Sequence, residues 1–119
     1  GGVAKKSYLH ADDISQAIIL CMEKGKLGET YNCGPQDPIS IREVVGMISA
    51  ILGKRVEEVS DIAPERTGQD SQYWLDSTKI KSMGGKQTIL IRNGLDRMIE
   101  WVKKYPELLK METEYRHRP

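Results

Sequence analysis

The sequence predicts an α/β domain, because stretches rich in β-forming residues alternate with stretches whose apolar residues recur at helical spacing. The predicted order is strand, helix, strand, helix, strand, loop and then helices, without internal repeats. A chain of 119 residues has the length of one domain, so we expect a single domain over 1–119 with a less ordered tail over 107–119. Phe is absent, and the core must therefore come from Ile, Val, Leu and Met.

The first 34 residues predict two strands with a helix between them. KSYLH (6–10) is rich in β-formers, and a helix over 11–25 follows it. Its core positions, recurring at helical spacing, are Ile14, Ala17, Ile18 and Cys21. We expect Asp13 and Gln16 to form a capping box at its start, and Gly25 to end it in the left-handed conformation. GETYNCG (28–34) then predicts the second strand.

The next two elements follow the turn at 35–38. Ser40 and Glu43 have the spacing of a capping box, so a helix begins there, and Gly53 ends it. Its predicted core face consists of Ile41, Val44, Val45, Ile48 and Leu52. RVEEVSDI (55–62) predicts a third strand.

The last part of the chain predicts a loop and two helices. Asp76 is placed to cap a short helix over 77–83. A longer helix then carries one apolar face, made of Ile91, Leu95, Met98, Ile99 and Val102. Pro106 ends this helix, because proline cannot continue a helical backbone.

Charge and cysteine content exclude some classes of function. The net charge is +1, which predicts neither a nucleic-acid-binding nor a membrane-binding surface. Cys21 and Cys33 lack metal-ligand spacing, and they resemble small apolar residues in a reducing compartment. We therefore expect a cytoplasmic protein.

The stretch PERTGQDSQYWLD (64–76) carries the most distinctive polar residue, Arg66. Its planar guanidinium suits two-point contact with phosphate, and Gly68 lets a ligand approach the backbone. The alternative is a surface arginine paired with Glu65 or Asp70, and the residues alone favour that alternative. Asn32, at the end of a predicted strand, is either a ligand contact or a turn residue.

Five blocks of the sequence, in order, resemble the C-terminal part of the NAD-dependent epimerase/dehydratases, extended short-chain dehydrogenase/reductases that act on nucleotide-sugars. The blocks cover most of the chain up to about residue 106, and they are YLHADDISQAI (8–18), GETYNCG (28–34), ISIREVVGMI (39–48), ERTGQDSQYWLDSTKIKSMG (65–84) and GLDRMIEWVKKYP (94–106). The resemblance implies a partial Rossmann-type unit, comprising its last strands and helices, with a small C-terminal α/β substrate-binding subdomain. The strand at 28–34 would lie at the edge of a parallel sheet.

The resemblance also implies roles for individual residues. Arg66 falls on the family arginine that grips the nucleotide pyrophosphate, and Asn32 on an asparagine that contacts the nucleotide-sugar. Lys6 stands where many relatives have a second phosphate-binding arginine, so it keeps the charge and lacks the two-point contact. The substrate-binding set implied for a UDP-, dTDP-, CDP- or GDP-linked sugar is Arg66, Asn32, Lys6, Glu65, Thr67, Gly68 and Gln69.

The sequence lacks two motifs on which the family's chemistry depends. It contains no Gly-x-x-Gly-x-x-Gly, and none of its five tyrosines is followed by a lysine four residues later. We therefore expect no catalytic residue and no bound cofactor in this chain alone. NAD or NADP and the catalytic groups would belong to an N-terminal half, so whether this chain is an enzyme stays open.

Three hypotheses remain at this stage. The first is the nucleotide-sugar-binding portion of an epimerase/dehydratase, incomplete alone. The second is a homo-oligomeric interaction module without sugar-nucleotide chemistry, and the third is an ordinary α/β binding domain. Open strand edges and poorly covered helix faces predict self-association or a separate Rossmann-half partner.

Overall fold

The computed structural model describes residues 1–62, 68 and 70–110. Its regular elements, in chain order, are β1 (Lys5–Lys6), α1 (Ala11–Lys24), β2 (Ile39–Ser40), α2 (Ile41–Leu52), α3 (Val56–Val59), α4 (Thr78–Ser82), α5 (Ile91–Lys104) and a 3₁₀ turn (Pro106–Lys110). The described chain therefore combines helices with a two-stranded sheet, which agrees with the predicted α/β class.

The sheet is centred on β1. On one side β1 pairs antiparallel with β2, with Lys5 opposite Ser40 and Lys6 opposite Ile39. On its other side Lys5 forms a parallel bridge with Gln72. The backbone N–H of Lys5 donates to Ser71 O (2.9 Å), and the N–H of Tyr73 donates to Lys5 O (2.9 Å). The segment after the 64–69 stretch is thus fixed beside β1.

The first helix begins differently from the sequence prediction. His10, rather than the Asp13–Gln16 pair, caps α1, and its Nδ1 accepts a hydrogen bond from the backbone N–H of Asp12 (3.1 Å). Asp13 is instead buried against a segment 75 residues away. Gly25 has φ −70° and an extended backbone, so the predicted left-handed end is also wrong.

The second helix confirms its predicted caps. The N–H of Glu43 donates to Ser40 Oγ (3.1 Å), and the N–H of Ser40 donates to Glu43 Oε2 (2.7 Å). Gly53 follows α2 with φ +64°, a left-handed conformation that glycine adopts without strain. Hydrogen bonds from Ser40 lower the pKa of Glu43 below its ordinary value.

Replacing Ser40 by alanine should lower the free energy of unfolding by about 1 kcal/mol, since the Glu43 N–H loses its acceptor at the helix start. Urea titration followed by helical circular dichroism measures this loss. Ser82→Ala is the control, because the Ser82 hydroxyl lies exposed at the end of a short helix. Equal losses in both variants would contradict a capping role for Ser40.

The strand predictions were largely wrong. Of KSYLH only Lys6 lies in a strand, and residues 28–34 form no strand in the structure. Residues 55–62, predicted as a strand, contain the short helix α3. There Glu58 Oε2 accepts a hydrogen bond from the Arg55 N–H (2.7 Å), an i, i+3 contact typical of a helix start.

The C-terminal helices agree with the sequence prediction. Asp76 Oδ1 accepts hydrogen bonds from the Thr78 N–H (2.9 Å) and the Thr78 hydroxyl (2.6 Å) at the start of α4, but the N-cap residue is Ser77 rather than the predicted Asp76. Both bonds lower the pKa of Asp76 below its ordinary value, and the bond from the Thr78 hydroxyl has the larger effect. Helix α5 ends at Lys104, two residues before Pro106, as predicted.

The hydrophobic core is small. Among the described residues, Ala17 and Ile80 are the buried apolar side chains, while many larger ones are partly or mostly exposed. A domain of this size ordinarily buries many more apolar side chains. Several helices therefore have apolar surface that nothing in the described chain covers.

Candidate functional site

Three segments that carry predicted site residues come together around β1. The first contains Lys6, the second is 32–37 with Asn32, and the third is 70–77, which follows the 64–69 stretch in sequence. β1 is hydrogen-bonded to the third segment through Lys5, and the Ser7 hydroxyl donates to Tyr73 O (3.2 Å). Residues adjacent in sequence to Lys6, Asn32 and the 64–69 stretch therefore lie close together in the fold.

Ser77 joins the second and third segments. Its Oγ accepts a hydrogen bond from the Gly34 N–H (2.8 Å) and donates one to Gly34 O (3.0 Å), and both residues are buried. The indole N–H of Trp74 donates to Gln36 O (2.8 Å). A Cβ added at Gly34 would lie 3.5 Å from the Leu75 Cβ and 3.7 Å from the Ser7 Cβ. These contacts fix the position of the chain two residues after Asn32.

Lys6 lies at the edge of this region. Its Nζ is 3.4 Å from Asp70 O and 5.9 Å from the centre of the Tyr73 ring. A backbone carbonyl does not neutralise the ammonium charge, so this cation is available to an anion. Asp70 directly follows the predicted phosphate-binding loop, 65–69, so Lys6 contacts the first residue after that loop.

The remaining predicted residues divide into two groups. Asn32 is exposed, so its amide is accessible. Gly68 is exposed with φ +78°, and a Cβ there would meet nothing within 4 Å, so a ligand could approach this backbone. Arg66, Glu65, Thr67 and Gln69 lie outside the described residues, and their roles stay predictions.

Sequence analysis missed the residues that hold this region together. Ser77 and Tyr73 were predicted only as parts of a helix and a loop, yet they join three distant segments. The signal for Ser77 was its position directly after Asp76, where a hydroxyl reaches either the helix or a neighbouring loop. No local pattern distinguishes these two uses.

Two cavities lie outside the Lys6–Asn32 region. The larger, about 390 Å³, is lined by Tyr8, Pro35, Gln36, Asp37, Ile39, Gln87, Leu90, Ile91 and Arg92. Burial raises the pKa of Tyr8 above its ordinary value. The smaller, about 270 Å³, is a groove beside α1. Neither is lined by Lys6 or Asn32.

The described residues do not fit a dinucleotide or a metal. No long helix among them follows a glycine-rich turn, the feature that holds the pyrophosphate of NAD. Helix α1 has Asp12 and Asp13 in its first turn, and Glu43 occupies the start of α2, so both sites would repel phosphate. No group of three potential metal ligands occurs among residues 1–62, 68 and 70–110. Within the same residues, no helix is long and apolar enough to cross a membrane.

The comparisons with known proteins decide the family. No protein-family profile matches the chain. A trifunctional UDP-glucose 4,6-dehydratase/UDP-4-keto-6-deoxy-D-glucose 3,5-epimerase/UDP-4-keto-L-rhamnose-reductase of Arabidopsis thaliana is 28% identical over 102 residues, 86% of this chain and 15% of that enzyme. The crystal structure of the Bacillus anthracis dTDP-glucose 4,6-dehydratase in complex with NAD matches with TM-score 0.79 and 30% identity, over 89% of this chain and 33% of that one. The chain is a homologue of the NAD-dependent epimerase/dehydratases.

A second solved structure extends this likeness to an epimerase. The Thermotoga maritima UDP-glucose 4-epimerase with UDP-glucose aligns to this homologue with TM-score 0.78 and 26% identity, over 88% of this chain and 33% of that one. The epimerase/dehydratase homologue thus spans a third or less of the length of these relatives. The predicted family and α/β fold class are confirmed.

Proposed function

We propose that this chain is the nucleotide-sugar-binding portion of an NAD-dependent epimerase/dehydratase, not catalytically complete alone. The convergence of the Lys6, 32–37 and 70–77 segments carries this proposal. Two relatives support it: the Bacillus anthracis dehydratase binds NAD, and the Thermotoga maritima epimerase binds UDP-glucose.

Each proposed contact has a distinct chemical role. Lys6 offers one compact positive charge to a phosphate oxygen, whereas the planar guanidinium of Arg66 offers two parallel donors. The Asn32 amide donates to or accepts from a sugar or phosphate oxygen. Glu65, Thr67, Gly68 and Gln69 form the loop around the diphosphate. The NAD-binding part of the full enzyme supplies hydride transfer and the catalytic acid/base.

Nucleotide binding by the 119-residue chain tests the proposal. Calorimetry and thermal shift with UDP, dTDP, CDP and GDP should detect binding of at least one nucleotide, with Tm rising as ligand concentration exceeds Kd. We expect Arg66→Ala to reduce the affinity at least tenfold and Lys6→Ala to reduce it several-fold, because each removes one phosphate contact. Lys6→Arg should bind more tightly, since it restores the two-point contact.

Lys54→Ala is the matched control, because Lys54 is exposed after α2 and lies outside the three segments. It should bind as the parent chain does. If Lys54→Ala and Arg66→Ala lost the same affinity, the nucleotide would be bound by non-specific charge attraction rather than by the proposed contacts. No binding of any of the four nucleotides would contradict the proposal.

One observation favours a second candidate function. The exposed apolar side chains of α1 and α5 also suit a homo-oligomeric interaction module without sugar-nucleotide chemistry. Light scattering at several concentrations distinguishes the two, since the module requires a stable oligomer in the absence of nucleotide. We place either form in the cytoplasm, because Cys21 and Cys33 are free thiols.

A further inference from the structure

Helix α4 contacts the segment before Asn32 through one side chain, Lys79. The Lys79 ammonium pairs with the Glu29 carboxylate and donates a hydrogen bond to Thr30 O (2.8 Å). The ammonium also lies 4.3 Å from the centre of the Tyr31 ring. One lysine therefore contacts three consecutive residues, and the next residue in the chain is Asn32.

The start of the same helix holds the chain on the other side of Asn32. Ser77 forms two hydrogen bonds with Gly34, whereas Lys79 holds the residues that precede Asn32. Residues 28–34 form no strand in the described chain, so side-chain contacts rather than a strand ladder hold this segment there. The exposed Asn32 amide therefore lies between two contacts that come from neighbouring residues of one helix start.

The three contacts of Lys79 occupy its ammonium fully. An ammonium has three N–H donors, and the Glu29 carboxylate, Thr30 O and the Tyr31 ring give it three partners. The Tyr31 hydroxyl accepts a hydrogen bond from the Lys26 N–H (2.9 Å), so the ring is also held at its other end. Lys79 therefore supports the segment and has no donor left for a phosphate.

These contacts should contribute little to the stability of the whole fold. The Lys79 and Glu29 side chains are 45% and 50% exposed, and an exposed ion pair adds little to the free energy of unfolding. The hydrogen bond from Lys79, together with its charge, lowers the pKa of Glu29 below its ordinary value, so the pair is ionised at neutral pH. The contacts restrict the position of residues 29–31, and hence of the residue that follows them.

We propose that Lys79 is a positioning residue for nucleotide-sugar binding, which holds residues 29–31 so that Asn32 faces the ligand. The inference rests on the proposed function and adds a residue that does not itself touch the ligand. Because Lys79 acts only through Asn32, its effect must disappear when the Asn32 side chain is removed. That dependence separates positioning from a general loss of structure or of positive charge.

Lys79→Met tests this role, because methionine keeps an unbranched apolar side chain and lacks the ammonium. Calorimetry measures the affinity of the 119-residue chain and its variants for UDP, dTDP, CDP and GDP. Each nucleotide that the parent chain binds should bind about fivefold more weakly to Lys79→Met, the loss expected for one hydrogen bond, while Tm falls by less than about 5 °C. In the Asn32→Ala background, Lys79→Met should cause no further loss of affinity.

Lys79→Arg is the conservative variant. A guanidinium keeps the charge, the hydrogen-bond donors and the cation–π contact, so this variant should bind within about twofold of the parent chain. Lys103→Met is the matched control, because it also removes one positive charge and breaks a similarly exposed ion pair, with Glu100 (2.7 Å). It should leave the affinity unchanged.

NMR order parameters measured without nucleotide test the contact separately from ligand binding. In Lys79→Met the backbone at 30–33 should change from about 0.85, typical of rigid chain, to below about 0.6, whereas Lys103→Met should leave it unchanged. Unchanged order parameters in Lys79→Met would overturn the proposal. It is equally overturned if Lys79→Met binds nucleotide as the parent chain does, or if its loss adds in full to that of Asn32→Ala.

Failure of the proposed function gives a different result. In that case the parent chain binds none of the four nucleotides, and the positioning role is overturned with it, whatever the order parameters show. If instead the parent chain binds a nucleotide and Lys79→Met binds it equally well, the proposed function stands and only the role of Lys79 is lost.

Discussion

Replacing Asp13 by alanine should lower the free energy of unfolding by about 3–5 kcal/mol, the largest stability effect we expect from a single substitution. The Asp13 side chain is 2% exposed. Its Oδ1 accepts hydrogen bonds from the Thr88 N–H (3.0 Å) and hydroxyl (2.6 Å), and its Oδ2 accepts one from the Ile89 N–H (3.0 Å). Alanine would leave three donors without an acceptor and would release α1 from the segment that precedes α5.

Asparagine at position 13 separates hydrogen bonding from charge. Its carbonyl oxygen can still accept from Thr88, but its NH₂ group would face the Ile89 N–H as a second donor. We expect a smaller loss, about 2 kcal/mol. Asp12→Ala is the control, because Asp12 is exposed and its contact with Arg97 is 3.6 Å long, so it should change stability by less than about 1 kcal/mol. A loss for Asp13→Ala no larger than for Asp12→Ala would contradict the role of Asp13.

The same carboxylate should make stability depend on pH. Burial alone raises the pKa of Asp13, but the hydrogen bonds from Thr88 and Ile89, with the nearby His10, lower it overall below its ordinary value of 3.8. A folded pKa below the unfolded one stabilises the fold fully above about pH 4, and this stabilisation is lost as pH falls through the folded pKa. Urea titrations between pH 2 and 7 should therefore show a smaller acid loss in Asp13→Asn than in the parent chain.

Local signals predicted structure well where both partners were close in sequence. Ser40 and Glu43 are three residues apart, and their reciprocal hydrogen bonds form as predicted. Asp13 and Gln16 have the same capping-box spacing. In the structure, however, Asp13 accepts a hydrogen bond from Thr88, and His10 caps the helix instead. A distant partner outweighed the local one because burial makes an unsatisfied carboxylate costly.

Strands were predicted poorly because a strand requires a neighbour. Residues 28–34 have a β-forming composition, but no strand of the described chain pairs with them. In contrast, two-residue β1 became a strand because Ile39–Ser40 and Gln72 flank it. Composition predicts the capacity to pair, and only the rest of the fold supplies the partner.

At the candidate site, too, the sequence predicted individual residues but not the long-range contacts that bring them together. The family resemblance placed Lys6 and Asn32 on separate segments, and the structure brings the neighbours of both together. The residues that cause this convergence, chiefly Ser77 and Tyr73, have no local pattern that marks them. Hydrogen bonds between segments 43 or more residues apart cannot be deduced from spacing along the chain.

Replacing Ser77 by alanine should lower the free energy of unfolding by about 2–4 kcal/mol. The variant leaves the buried N–H and C=O of Gly34 without their partners, each at a cost of about 1–3 kcal/mol. Urea titration measures the loss, and Ser82→Ala serves again as the control because its hydroxyl contact with Lys79 O is exposed. Similar values for the two variants would contradict the role assigned to Ser77.

The nucleotide affinity of the Ser77→Ala variant, measured well below its Tm, tests whether the Ser77–Gly34 hydrogen bonds contribute to ligand binding. Asn32 is two residues from Gly34, so losing the Ser77 contacts should let Asn32 move relative to Lys6 and the 70–77 segment. If Asn32 binds the ligand, affinity falls although every proposed contact residue is still present, and Asn32→Ala adds little further loss because the two substitutions remove the same interaction. An affinity unchanged by Ser77→Ala, despite the lost stability, would remove Asn32 from the site and leave the binding to Arg66 and Lys6.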